Sequence, residues 1–71
     1  MKFDGKRLKE RREFLGFSLQ ELGNLCQSSK SYIFELEQDK GIDPGGSKVF
    51  MLSRALGVPM EWFTEKKIYT I

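Results

Sequence analysis

The stretch from Ser18 to Glu37, SLQELGNLCQSSKSYIFELE, constrains the fold more than any other part of the chain. Ser18 followed three places on by Glu21 has the form of a capping box. In such a box the serine hydroxyl and the glutamate carboxylate each satisfy a backbone amide that the helix leaves open. A helix therefore starts at Ser18, and Leu22 and Cys26 recur at i, i+4 to give it one apolar stripe. Gln27, Ser28 and Ser29 interrupt that stripe, and Ser29 can cap a second helix by accepting from an open amide. Ile33 and Leu36 turn the second helix inward, which leaves Lys30, Ser31, Phe34 and Glu35 on its outer side. The spacing predicts two short helices joined by a turn of about four residues.

A chain of 71 residues is one domain. At this size only about 60% of the unfolded surface is buried on folding, so the core must be compact or extended by self-association. An aliphatic and aromatic content of 39% suits a globular protein and argues against disorder. Cys26 is the one cysteine; a lone thiol forms no internal disulfide, which favours a reducing compartment. The apolar runs are a few residues long and no hydrophobic signal segment opens the chain. The expectation is a soluble, cytoplasmic domain with no membrane contact.

The formal charge of +2 is unevenly spread. Residues 1–20 hold six basic and three acidic groups, residues 21–39 one and four, and residues 40–71 five and three. A phosphate-binding surface has to be basic. The acidic middle therefore opposes a nucleic-acid partner unless some of its carboxylates face inward.

Along the chain, Asp4 can cap a first helix from Gly5 to Leu15, with Leu8 and either Phe14 or Leu15 as its inner contacts. Gly16 suits the left-handed position that ends a helix, and Phe17 stands where an apolar residue staples the next one. The string KGIDPGGS, from Lys40 to Ser47, holds three glycines and a proline and reads as a loop. Ser47 is expected to cap a fourth helix with Val49, Phe50, Leu52, Ala55 and Leu56 on its apolar side, ended by Gly57. Pro59 suits the first turn of a short fifth helix, and Met60, Trp62 and Phe63 are expected to close the core. The tail, residues 65–71, alternates in polarity and reads as a frayed end or a short strand pairing between subunits. The fold class is all-α, five short helices with a helix-turn-helix formed by the second and third.

From Gly5 to Phe63 the chain resembles the Cro/C1-type (XRE-like) helix-turn-helix domains of phage repressors and small bacterial regulators. The resemblance is carried by Arg12 four places before Gly16, then Phe17-Ser18, Glu21-Leu22, Ser29-Lys30-Ser31-Tyr32-Ile33 and Leu36-Glu37. Pro44 in the loop and Ala55-Leu56-Gly57-Val58 complete it. It implies a compact five-helix bundle of the lambda-repressor-like DNA-binding type over residues 1–64, with residues 65–71 as a C-terminal tail. It also implies a homodimer on double-stranded DNA, with the third helix in the major groove. Carried over by position, Ser29, Lys30, Ser31 and Glu35 would approach base edges with Phe34 beside them. Ser18, Gln20, Gln38 and Lys40 would lie near phosphates. Arg12 and Glu37 would form a partly buried ion pair, which removes one carboxylate from the acidic middle. Five positions depart from the pattern. Leu19 stands where many members carry a phosphate-binding glutamine, Gln27 where a turn glycine is usual, and Gly23 where an alanine is usual. Phe34 and Glu35 occupy positions more often polar or basic.

Each of these residues has a plainer reading. Lys30 donates to guanine or is a solvated surface charge; Glu35 accepts from a cytosine amine or repels the backbone at wrong sites. Phe34 touches a thymine methyl, packs half-buried, or marks a protein interface. The basic residues Lys2, Lys6, Arg7, Lys9 and Arg11 steer DNA or simply solvate the first helix. Cys26 reads as a small core residue, with neither a metal nor a cofactor expected. The chain has no histidine, which removes Ser-His and Cys-His nucleophiles, and Gly41 to Gly46 lacks the lysine-serine ending of a phosphate loop. The expectation is no enzyme but a sequence-specific DNA-binding transcriptional regulator, a repressor of phage or mobile-element type acting as a homodimer. The alternative from another class is a protein-interaction module, an antitoxin or a regulator's partner, that kept the helix-turn-helix fold and binds a protein through Leu19, Phe34 and the acidic middle.

Overall fold

The computed structural model describes residues 3–39 and 42–64. Four α-helices follow in order: α1 (Gly5–Leu15), α2 (Leu19–Leu25), α3 (Lys30–Glu37) and α4 (Gly46–Leu56), then a 3₁₀ turn at Met60–Phe63. The fold is all-α of the lambda-repressor-like kind, with the expected fifth helix reduced to that turn. Four residues tightened by a bond from the Trp62 amide to the Pro59 carbonyl at 3.0 Å are too few for α-helical pairing. No helix among the described residues is long and apolar enough to cross a membrane. Lys40 and the tail, residues 65–71, lie outside the described residues.

Local capping chemistry sets the first three helices. The Asp4 carboxylate accepts from the amides of Lys6 and Arg7 at 3.0 and 3.4 Å, and Gly16 ends α1 at φ +80°. Between these ends Gly5, Leu8 and Arg12 face inward. That stripe steps by three and four residues, so Phe14 falls off it and is 76% exposed. Leu15 is in phase with the stripe but stands at the helix end, 39% exposed, so neither residue packs inside as expected. The inward position on the last full turn belongs to Arg12 instead.

α1 crosses α3 at very close range. A Cβ added to Gly5 would stand 2.1 Å from the Leu36 carbonyl oxygen, so no side chain fits there. The core gathers Leu8, Leu22, Cys26, Ile33 and Leu36 from the first three helices with Leu52 and Leu56 of α4 and Phe63 of the turn. Phe3 joins them from ahead of α1, stacked on Phe63 with ring centroids 5.3 Å apart, while the Asp4 amide bonds the Phe63 carbonyl at 2.8 Å. Each such aliphatic or aromatic side chain stabilises the fold by roughly 1.5–3 kcal/mol on burial.

α4 begins two residues earlier than expected. Gly45, not Ser47, is its N-cap: the Gly45 carbonyl already accepts from Lys48 and Val49 at 3.1 and 3.0 Å, and no side chain caps this end. Leu52 and Leu56 are buried, but Phe50 is about half exposed and lies outside the core stripe. Met60 is likewise exposed, so of the three residues expected to close the core Phe63 does so fully and Trp62 in part. Two α1 arginines fasten this end of the molecule. Arg7 Nη1 donates to the Trp62 carbonyl at 2.8 Å, and Arg11 Nε donates to the Leu56 carbonyl at 3.0 Å. Each part-buried guanidinium thereby spends a donor on holding this end together.

Candidate nucleic-acid interface

The capping box read from the sequence is formed. The Glu21 amide donates to Ser18 Oγ at 3.0 Å, and the Ser18 amide donates to Glu21 Oε1 at 2.8 Å. Leu22 and Cys26 are fully buried, fixing α2 against the core. The turn that follows reverses the chain sharply. The Ser28 amide reaches back to the Gly23 carbonyl at 2.8 Å, and Gln27 takes a left-handed conformation at φ +55°. A non-glycine residue there costs on the order of 1–2 kcal/mol. Glycine is required at position 23 instead, because a Cβ would stand 2.8 Å from the Ser28 carbonyl oxygen. Two of the departures from the family pattern are thus one local arrangement, with the glycine moved from the turn to the helix it folds against.

Lys48 of α4 fastens this turn. Its Nζ donates to the Cys26 carbonyl at 3.0 Å and lies 3.5 Å from the Gln27 carbonyl, with the Tyr32 ring 6.0 Å away. A cation at the open carbonyl end of α2 also suits the helix dipole. Burial pushes the Cys26 thiol above its ordinary pKa, against a smaller opposing effect of the Lys48 charge.

α3 starts at Ser29, whose Oγ accepts from the Tyr32 amide at 3.1 Å. Its inner side carries Ile33, Leu36 and Glu37, all buried. Glu37 meets Arg12 in a two-pronged pair: Nε donates to Oε2 at 2.6 Å and Nη2 donates to Oε1 at 3.1 Å. Arg12 Nη1 also donates to the Phe17 carbonyl at 2.8 Å, so one guanidinium ties α1, α3 and the α1–α2 junction together. The bond to Glu37 is the main reason the Arg12 pKa is raised.

The outer side of α3 presents Lys30, Ser31, Phe34 and Glu35, all exposed. These four, with Leu19 from α2, line one shallow notch. Ser18, Gln20, Ser29 and Gln38 are also exposed. Gln20 is held along α2 by a bond from its Nε2 to Asn24 Oδ1 at 3.0 Å. Ser18 and Ser29 each use one oxygen lone pair on a cap, and a hydroxyl so bonded keeps its proton for a further acceptor. The acidic middle of the sequence is largely accounted for. Glu37 is turned inward to Arg12 and Glu21 is held in the capping box, leaving Glu35 and Asp39 outside with Lys30. Leu19, expected to share a surface with Phe34 in the protein-binding alternative, forms a wall of the notch. Lys48 has no signal in the sequence, because its role arises from α4 being brought against the end of α2 by the fold.

The helix-turn-helix family model matches residues 8–63, most of the chain. The chain belongs to the Cro/C1-type helix-turn-helix family. Three solved neighbours agree over most of their length. The P22 c2 repressor in complex with a synthetic operator superposes with a TM-score of 0.81 at 25% identity, covering 89% of this chain and 94% of that one. The N-terminal DNA-binding domain of SinR from Bacillus subtilis gives 0.80 at 28% identity, over 89% and 91%. The restriction-modification controller protein C.AhdI from Aeromonas hydrophila gives 0.74 at 26% identity, over 80% and 85%. No curated protein matches the sequence. Family and neighbours together make this helix-turn-helix protein a DNA-binding transcriptional regulator.

Proposed function

We propose that the chain is a sequence-specific repressor of phage or mobile-element type that reads the DNA major groove with α3 as a homodimer. The observation that carries this reading is the division of α3. One side is locked to the core through Ile33, Leu36 and the Arg12–Glu37 pair, while Lys30, Ser31, Phe34 and Glu35 stand out on the other. Ser29, Lys30, Ser31 and Glu35 approach base edges, with Phe34 beside them. Ser18, Gln20 and Gln38 lie toward phosphates, where serine and glutamine donors fix register without reading sequence. The P22 c2 repressor and SinR, both solved in complex with DNA, support this placement by likeness.

Two α3 helices related by a dimer axis would enter successive major grooves about 34 Å apart. Selection from random duplexes, followed by titration of the best site across salt concentrations, tests the proposal. Recovery of a two-fold site whose affinity falls steeply with salt is expected. Equal, salt-insensitive retention of all sequences would reject it.

A protein-interaction role is the second reading, favoured by the partly buried Leu19 and the exposed Phe34 on the same side as Glu35. SinR, a neighbour at 28% identity, is also solved as a complex with SinI. A protein captured by the chain and lost on Phe34→Ser, with DNA binding unchanged, would move the assignment to this reading.

A further inference from the structure

The outer side of α3 carries an apolar notch between two helices. Leu19 of α2 packs partly against the core and forms one wall; Phe34, 48% exposed, forms the other. Lys30, Ser31 and Glu35 make the rim. Phe14 and Phe50, the other exposed phenylalanines, each have an arginine over the ring, at 5.3 and 5.7 Å. Phe34 instead faces the notch.

We propose that this notch receives the 5-methyl group of a thymine, making Phe34 and Leu19 specificity residues for a T·A pair. The inference rests on the DNA-reading function proposed above. In the major groove a T·A pair presents the thymine methyl, the O4 acceptor and the adenine N6 amine. The notch offers their complements in kind: apolar walls for the methyl, the Lys30 ammonium and Ser31 hydroxyl as donors to O4, and the Glu35 carboxylate as acceptor from the amine. Cytosine in the same place presents an amine and no methyl. The size of the notch also selects this occupant. Two apolar side chains suit a methyl group, whereas a stable protein partner covers roughly 800 Å² on each side.

The test starts from the best duplex that the chain selects from random DNA, with each thymine replaced in turn by deoxyuridine. That change removes only the methyl. Replacement at one position in one half-site is expected to weaken binding roughly three- to fivefold, the worth of one buried methyl. The salt dependence stays unchanged, because no phosphate contact is lost. Phe34→Ala should bind the thymine and uracil duplexes equally, while Phe34→Leu keeps part of the preference and controls for folding. Uracil duplexes that bind as well as thymine ones would overturn the assignment while leaving groove reading intact. So would a thymine preference that survives Phe34→Ala, or a Phe34→Ala variant that loses only a protein partner. Absence of any sequence preference among duplexes would overturn this inference and the proposed function together.

Discussion

The two sides of α3 are eight residues of one helix under opposite rules. On the inner side Ile33 and Leu36 are buried, and Glu37 has both carboxylate oxygens bonded by Arg12. On the outer side Lys30, Ser31, Phe34 and Glu35 are exposed and held only by the backbone beneath them. The difference teaches where each kind of information lies. Inner groups fix the position of α3 and tolerate little; outer groups are exchangeable without penalty to the fold and are the ones available to a partner.

Removing the inner ion pair is the largest way to break that division. Arg12→Ala leaves the Glu37 carboxylate buried without its partner, a change that costs about 3–5 kcal/mol. In a domain this small that corresponds to a fall in melting temperature of some tens of degrees, at about 4–8 °C per kcal/mol. Thermal unfolding reads it directly, and an unchanged Tm would mean that the pair does not hold α1 to α3. Gly5→Ala acts on the same α1–α3 contact from the other end of α1. Its new Cβ has to push the Leu36 carbonyl away, and overpacking of this kind costs about 1–3 kcal/mol in denaturant unfolding.

Lys30→Ala should do the reverse. Unfolding stays within about 0.5 kcal/mol of the parent, as for surface substitutions generally. Binding to the selected DNA weakens by on the order of 1–3 kcal/mol, with a relaxed site preference. A variant that loses stability but not site preference would erase the distinction between the two sides.

The smallest effect is expected at Cys26. Its fully buried thiol, with a raised pKa, stays protonated and reacts slowly with alkylating reagents until the chain opens. Because the unfolded thiol ionises first, this group's contribution to stability is present below the ordinary thiol pKa and is lost as pH rises through the folded value. Rapid alkylation at neutral pH without denaturant would show that the α2 end of the motif is open.

Much of this was legible before the fold was known, for a physical reason. Caps at Asp4, Ser18 and Ser29 act over three or four residues, so the sequence alone places α1, α2 and α3 and sorts the two sides of α3. Helix α4 was less legible because its N-terminus is capped by no side chain, and Gly45 gives no cue that Ser47 does not give better. Phe14, Phe50 and Met60 look like core residues by type, yet helix phase turns them outward, while Phe3 is recruited inward by Phe63 across the whole chain. The ion pair followed from family resemblance rather than from charge spacing. That Leu19 and Phe34 share a surface was legible from the family pattern, but the notch between them was not. They lie on different helices, and only the sharp turn at Gln27, held by Gly23 and Lys48, brings them side by side.

The central claim is that the outer side of α3 is the surface that meets DNA. Residue-resolved amide shifts measured while the selected duplex is added test it most directly. The largest changes should fall on Lys30, Ser31, Phe34 and Glu35, with Leu19 beside them, and leave Phe50 and Arg54 of α4 unmoved. Changes centred on α4, with the amides of α3 undisturbed, would contradict it.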